Sequence, residues 1–162
     1  MDHLWSPWRF RYVSQAEPDS GCIFCVKPAE NRDRDNLIVW RARRNFVLLN
    51  LYPYTTGHLM VAPYEHVATL AGAAESTLEE MIGLAQMAER RLTELYRPQG
   101  FNVGINLGDC AGAGVAGHIH MHIVPRWTGD SNFMTTVGET RVMPEDLAVT
   151  CERLSAAFAG RG

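Results

Sequence analysis

Three histidines stand at alternate positions in the segment His118-Ile119-His120-Met121-His122-Ile123-Val124. Alternate side chains of a strand project from opposite faces, so the spacing predicts three imidazoles on one face and Ile119, Met121 and Ile123 on the other. Same-face neighbours on a strand lie about 6.5–7 Å apart, too far for all three rings to hold one ion and suited to successive roles along a phosphate chain. A histidine row is an unusual choice for a merely solvated face, because it clusters groups that titrate near neutrality. A neutral imidazole nitrogen can attack phosphorus, and a covalent phosphoryl- or nucleotidyl-histidine splits one difficult displacement into two easier ones. A second imidazole can hold or donate a proton, and backbone N–H groups can meet the charge on the phosphoryl oxygens. The loop before the row is glycine-rich. Gly112, Gly114 and Gly117 can take backbone conformations closed to other residues, and the pattern resembles a phosphate nest rather than a P-loop or a dinucleotide fingerprint. No acidic D-x-D cage accompanies the row, so nothing in the motif calls for magnesium.

Cys22 and Cys25 form one C-x-x-C. That spacing is half of a tetrahedral zinc site, is shared by thioredoxin-like redox pairs, and also fits two reduced, partly buried thiols. Redox pairs of that kind open a helix in a parallel unit, which is not expected near residue 22. Cys110 and Cys151 have no partner pattern and read as ordinary loop or buried cysteines.

These residues need elements to hold them. Residues 1–35 read as irregular, with Trp5, Trp8, Phe10 and Tyr12 interleaved with Ser6, Arg9 and Arg11; this aromatic arm either docks on the body or binds a partner. Lys27–Asp35 reads as an exposed loop. Strands are expected at 37–40, 45–50, 58–62 (stopped by Pro63), 102–107 and 118–124 (stopped by Pro125), with turn formers at 50–57. A helix is expected from Ser76 to Tyr96, opened by a Ser76/Glu79 capping box and stopped by Pro98 and Gly100. Its apolar positions are Leu78, Met81, Ile82, Ala85, Leu92 and Leu95. A last helix starts near Pro144, with Glu145 and Asp146 suiting its dipole and Leu147, Cys151, Leu154 and Phe158 on its apolar face. Five strands and two main helices in this order predict an α+β domain with an antiparallel sheet.

The chain has 162 residues, enough for one domain with a sizeable core. With 46% hydrophobic and 20% charged residues it is not a disordered composition. Fifteen basic and 18 acidic residues give a net charge of −3, which argues against DNA or RNA as the main partner. No apolar run reaches the roughly 18 residues of a membrane span, and the N-terminus lacks the apolar stretch of a signal peptide, so a cytoplasmic location is expected.

The motifs also occur together in a familiar order. CIFC at 22–25, GHLMVAP at 57–63, His66, Asn106 and the histidine row make residues 20–127 resemble the histidine triad (HIT) superfamily of nucleotide hydrolases and transferases. The flanks LWSPWRFRY and VPRWTGDSNFM resemble the branch of diadenosine tetraphosphate phosphorylases. The resemblance implies a single HIT-like domain over 1–162, with a core at about 20–127, an N-terminal arm at 1–19 and a C-terminal loop and helix at 128–162. It implies a homodimer joining two five-stranded sheets. It makes His120 the nucleophile, His122 its phosphate-side support, and His118 and His58 the other histidines of the site. Asn50 matches a ribose-binding position, with Leu51 beside the base, Asn106 on the phosphate side, Gly112 and Gly114 in the phosphate loop, and Trp127 stacking on or capping the nucleotide. His66 and His118 match the positions that complete a structural zinc site with Cys22 and Cys25; no organic cofactor is implied.

The implied activity is cleavage of the α-phosphate bond of adenosine dinucleoside polyphosphates through a nucleotidyl-His120. Two alternatives stay open: a purine-nucleotide phosphoramidase or hydrolase of the same family, and a non-catalytic nucleotide sensor. One departure bears on them. Many members carry polar Gln-Ser-like residues just before the row, where this chain has Gly114 and Val115. Neither offers a side-chain hydrogen bond, which leaves room for an inorganic phosphate acceptor. Arg126 is either a phosphate contact or an ion-paired surface residue, and Asp130 and Asn132 lie in a loop able to close over the nucleotide.

Overall fold

Residues 21–132, 135 and 144–160 are described by the computed structural model; the aromatic arm at 1–19 lies outside them, as does most of the loop that follows Asn132. Among the described residues, five strands form one antiparallel sheet: β1 (Ile38–Arg41), β2 (Asn45–Leu49), β3 (Leu59–Pro63), β4 (Gly100–Ile105) and β5 (Met121–Arg126). Their order across the sheet is β1-β2-β3-β5-β4. Three helices accompany them: α1 (Ile23–Ala29), α2 (Glu75–Tyr96) and α3 (Leu147–Phe158). The fold is therefore the expected α+β class, with one helix more than the two predicted.

Both faces of the central strands are covered, so β2 and β3 are buried along their whole length instead of alternating with solvent-facing residues. Val47, Leu49, Leu59, Val61, Ile119, Met121 and Ile123 pack under α2 and α3, against Met81, Leu84, Ala88, Leu92, Leu154 and Phe158. Phe46, Leu48, Met60 and Ala62 point the other way and pack against Phe24 of α1. Each fully buried aliphatic side chain contributes roughly 1.5–3 kcal/mol of transfer free energy. The two-sided sheet thus has a thick helical backing on one face and a thin cover, α1 and the glycine-rich loop, on the other. The chemistry lies on the thinly covered face.

Several sequence expectations change. Residues 23–29 are helical, although 1–35 read as irregular and 27–35 as a loop; Phe24 and Pro28, buried against the sheet, supply the packing that a seven-residue segment cannot draw from propensity alone. The Ser76/Glu79 capping box does not form. A turn with Ala73 N–H donating to the Leu70 carbonyl leads the chain into α2 at Glu75, so the N-cap is Ala74 and Ser76 is already inside. The buried stripe of α2 runs Thr77-Met81-Leu84-Ala88-Leu92, whereas Ile82 is 60% exposed. α2 ends on Arg97 in the left-handed region (φ +48°), ahead of Pro98. Pro63 and Pro125 are the fifth residues of β3 and β5 and do not end them early. α3 begins at Leu147, capped by the Asp146 carboxylate, which accepts from the Ala148 N–H at 2.8 Å.

One glycine is required by position. Gly57, at the entry to β3, has φ +78°, and a Cβ there would stand 2.8 Å from Leu92 Cδ2 in the core. Gly57→Ala should lower stability by about 1–3 kcal/mol, from left-handed strain plus overpacking against α2. Urea unfolding checks this; a midpoint unchanged from the parent protein contradicts it.

Candidate active site

The histidine row is not one strand. β5 begins at Met121, and the 118–120 segment is a lead-in outside the strand, tied to the segment that follows β3 by Ile119 N–H donating to the Val67 carbonyl at 2.7 Å. Alternation still holds: Ile119 is in the helical core, and the three imidazoles are on the opposite side. They do not, however, line one phosphate track. His118 is fully buried and turned toward Cys22 and Cys25, whereas His120 and His122 adjoin each other with ring centroids 4.9 Å apart. The expected even spacing of three roles is corrected to one thiol-facing and two cavity-facing rings. The cause is that His118 and His120 precede the ladder, which begins only at Met121.

Hydrogen bonds assign the protons. His120 Nδ1 lies 2.9 Å from the His118 carbonyl oxygen, which can only accept, so Nδ1 carries the hydrogen and Nε2 keeps its lone pair. Burial pushes the His120 pKa down, against the opposing pull of that backbone hydrogen bond, and favours the neutral ring. The Phe24 ring lies 4.7 Å from it, centroid to centroid. Immediately before β3, His58 Nδ1 accepts from the Tyr54 backbone N–H at 3.2 Å, with the Asn50 amide nitrogen at 3.4 Å. The His58 proton is therefore on Nε2, which donates to His122 Nδ1 at 2.9 Å. That in turn places the neutral His122 proton on its own Nε2. A nucleophilic nitrogen on His120 thus stands beside an N–H donor on His122.

A cavity of about 220 Å³ opens next to this pair. Asn50, Leu51, Asn106, Gly112 and Gly114 all line it, together with His120 and His122. Asn106 lies one residue past β4 rather than within the strand. Of the three glycines singled out, Gly112 (φ +86°) takes the left-handed conformation; Gly108 also has a positive φ (+81°) but with an extended ψ of 162°, and Gly114 and Gly117 have no positive φ. Trp127 does not line the cavity. Its indole N–H donates to the Tyr96 carbonyl at the end of α2, 3.3 Å away. Ile23, Phe24, Lys27, Tyr54 and Met60 also form the wall. Sequence reasoning missed them because α1 was not foreseen and Tyr54 sits among turn formers; its place four residues before His58 was the available signal.

A second, more open hollow of about 390 Å³ shares Tyr54, Asn106 and His122 with the first and extends to Arg126. Arg126 is ion-paired: its guanidinium grips Asp130 through two bonds of 2.6 and 2.8 Å and donates to Asn102 Oδ1 at 2.6 Å. Hydrogen bonds from Arg126 hold the Asp130 carboxyl down, from 3.8 to about 2. A depressed carboxyl binds fewer protons in the native state, so its stabilisation is complete above 3.8 and lost as pH falls toward about 2. NMR titration of the Asp130 carboxyl carbon should give a midpoint near 2; a midpoint at the ordinary value contradicts the pairing.

The four sulfur and nitrogen ligands expected for a metal meet at the start of α1. Cys22 Sγ is 3.3 Å from His118 Nδ1, and Cys25 Sγ is 3.3 Å from His66 Nδ1 and 3.6 Å from His118 Nδ1. All four atoms lie within 4.8 Å of one another. A tetrahedral zinc with Zn–S of about 2.3 Å and Zn–N of about 2.05 Å demands S···N edges of about 3.6 Å. The donor set therefore fits the ion in chemistry and in size. His118 Nε2 donates to the Pro63 carbonyl at 2.9 Å, which leaves Nδ1 unprotonated toward the thiols, as a ligand requires. Burial, reinforced by Cys22, pushes the Cys25 thiol up, so a cation is what would favour its thiolate. The pair does open a helix, contrary to the sequence reading, with Cys22 as N-cap; yet it faces two histidines in an antiparallel fold. Of the other two cysteines, Cys110 is exposed in the glycine-rich loop and Cys151 is buried in α3.

Comparison with known proteins agrees with this geometry. A family model described as HIT domain matches residues 31–129. A Mycobacterium tuberculosis protein named AP-4-A phosphorylase is 38% identical over 98% of this chain and 85% of its own length. A Zn-bound histidine triad family protein from Mycobacterium smegmatis superposes with a TM-score of 0.69 at 28% identity, covering 86% of this chain and 94% of that one. Protein hit from Bacillus subtilis is 28% identical over 86% of this chain and 93% of its own length.

Proposed function

The chain belongs to the HIT domain family, and from that premise we propose that it is a nucleotidyl transferase or hydrolase acting on dinucleoside polyphosphates, in the manner of an AP-4-A phosphorylase. The observation that carries the reading is the proton assignment at the mouth of the cavity: a lone pair on His120 Nε2 beside an N–H on His122. His120 Nε2 attacks the α-phosphorus. The N–P bond forms as the bond from phosphorus to the bridging oxygen breaks, and the electron pair leaves with the polyphosphate. The leaving polyphosphate is a stable anion, so it needs charge stabilisation more than a proton; the His122 N–H and the loop amides around Gly112 supply it. The His118 carbonyl, holding Nδ1–H, stabilises the positive charge that develops on the His120 ring. In the second displacement inorganic phosphate or water attacks phosphorus, the N–P bond breaks, and a nucleoside diphosphate or monophosphate is released with His120 restored.

Val115 presents an aliphatic wall to the cavity where a hydroxyl or amide would otherwise orient a small acceptor, and this supports inorganic phosphate as the acceptor. A zinc ion bound by Cys22, Cys25, His66 and His118 would be closed to substrate and would supply a structural cross-link between α1 and the His118 lead-in. The reading extends to one HIT-like domain over the full chain and to a cytoplasmic homodimer that pairs sheets at the open edge strand β4, where Val103 is 54% exposed. Among the described residues no helix is long and apolar enough to cross a membrane.

The test is turnover of diadenosine tetraphosphate with and without inorganic phosphate, products resolved by chromatography. ATP plus ADP formed only with phosphate supports the phosphorylase. ATP plus AMP in both conditions makes it an asymmetric hydrolase. Absence of product overturns the dinucleotide reading.

A further inference from the structure

Among the described residues that wall the cavity beside His120, Lys27 carries the only full charge; the rest are apolar, amide, phenol, imidazole or glycine. It belongs to α1, whose Ile23 and Phe24 share the same wall. Phe24 is the residue in contact with His120, and the Lys27 backbone lies about 4.5 Å further along the helix axis. No acidic side chain in the wall answers it. The carboxylate of Glu30, on the next turn, is engaged by the Asn36 amide at 2.8 Å. Lys27 is itself half-buried, so its side chain is partly withdrawn from water.

An ammonium donates three N–H bonds and accepts none. A partly desolvated one gains from a ligand that offers acceptors and loses against one that offers donors. When the reacting phosphate is at His120 and His122, the nucleobase occupies the part of the cavity away from them. Adenine presents N7 as acceptor but an amino donor at position 6. A 6-oxopurine presents two acceptors, O6 and N7, on the same edge. We propose that Lys27 is a specificity-determining residue: its ammonium selects a 6-oxopurine over adenine for the base held in this cavity. The inference rests on the nucleotide site proposed above, and it makes diguanosine or mixed adenosine–guanosine polyphosphates better substrates than the diadenosine compound.

Calorimetric titration of the full chain with GMP and with AMP tests it, for the parent protein, Lys27→Met and Lys27→Arg. The parent should bind GMP about 10-fold tighter than AMP, a ratio of the size one good polar base contact gives. Lys27→Met should bring the ratio to within about twofold, mainly by weakening GMP, and Lys27→Arg should retain it. An unchanged ratio in Lys27→Met, or an equal loss for both nucleotides, overturns the proposal; the latter would place the ammonium on phosphate. Turnover is read separately. Selective binding without any dinucleotide cleavage defeats the enzymatic reading alone, whereas cleavage of both compounds with no Lys27-dependent preference defeats the base-selection reading alone.

Discussion

His120→Ala abolishes turnover, with a loss of at least ~10⁴-fold in kcat, while nucleotide affinity changes by less than about tenfold. The size follows from the chemistry. Removing the ring removes the nucleophile, and the cavity's remaining groups can only bind and polarise. Affinity survives because His120 is one of many lining residues and the apolar wall is built from α1, β2 and β3. Trapping sharpens the test: rapid quenching of the parent enzyme with labelled dinucleotide should leave label on the protein at His120, and His120→Ala should retain none. Turnover preserved in a clean His120→Ala preparation would sink the covalent mechanism. His58→Ala should be milder, because His58 acts through His122; it orients the proton that meets the leaving polyphosphate and does not itself bond to phosphorus.

The second large effect concerns the metal. Purified protein should contain about one zinc per chain, and the double change Cys22→Ser, Cys25→Ser should reduce this below about 0.1. Thermal unfolding should shift down by about 10 °C, the scale expected when a tight ligand of the native state alone is lost. The reason it is large lies in how little else holds α1. The helix has seven residues, a Cys22 N-cap without a side-chain hydrogen bond, and two buried side chains, Phe24 and Pro28. Phe24 in turn contacts both His118 and His120, at 5.3 and 4.7 Å. Losing the cross-link should therefore loosen the cavity wall, and nucleotide affinity should fall together with stability. Metal content by mass spectrometry and binding by calorimetry separate the two. A chain free of zinc with unchanged stability and affinity contradicts the assignment.

Much of this site was legible in the chain itself. The alternation of His118, His120 and His122 with Ile119, Met121 and Ile123 needs only the two-residue period of extended backbone, and it holds even where the strand ladder has not begun. Cys22, Cys25, His66 and His118 were readable as a set by resemblance, because ligand type and order along the chain are sequence properties. Of the apolar positions expected on α2, Met81 and Leu92 are buried and Leu78, Ala85 and Leu95 pack partly buried against the core, whereas Ile82 faces solvent. Ile82 is as hydrophobic as Leu84, and only the position of the sheet decides which one is buried. α1 was invisible for a different reason: seven residues with a proline among them have no helical signature of their own.

Sequence alone determined the chemistry available here: three alternating imidazoles, two thiols, a glycine-rich loop and an antiparallel frame to carry them. Tertiary structure decided how that chemistry is divided. It turned His118 to the thiols and His120 to the cavity, used the Tyr54 amide to set the His58–His122 proton, and drew Arg126 to Asp130 and Trp127 to α2. These assignments depend on which donor lies within 3.5 Å of which acceptor across 4 to 96 residues of chain, or on one backbone N–H aimed at one ring nitrogen. Periodicity specifies the face of a side chain, but it carries no information about the partner that the opposite segment brings to it.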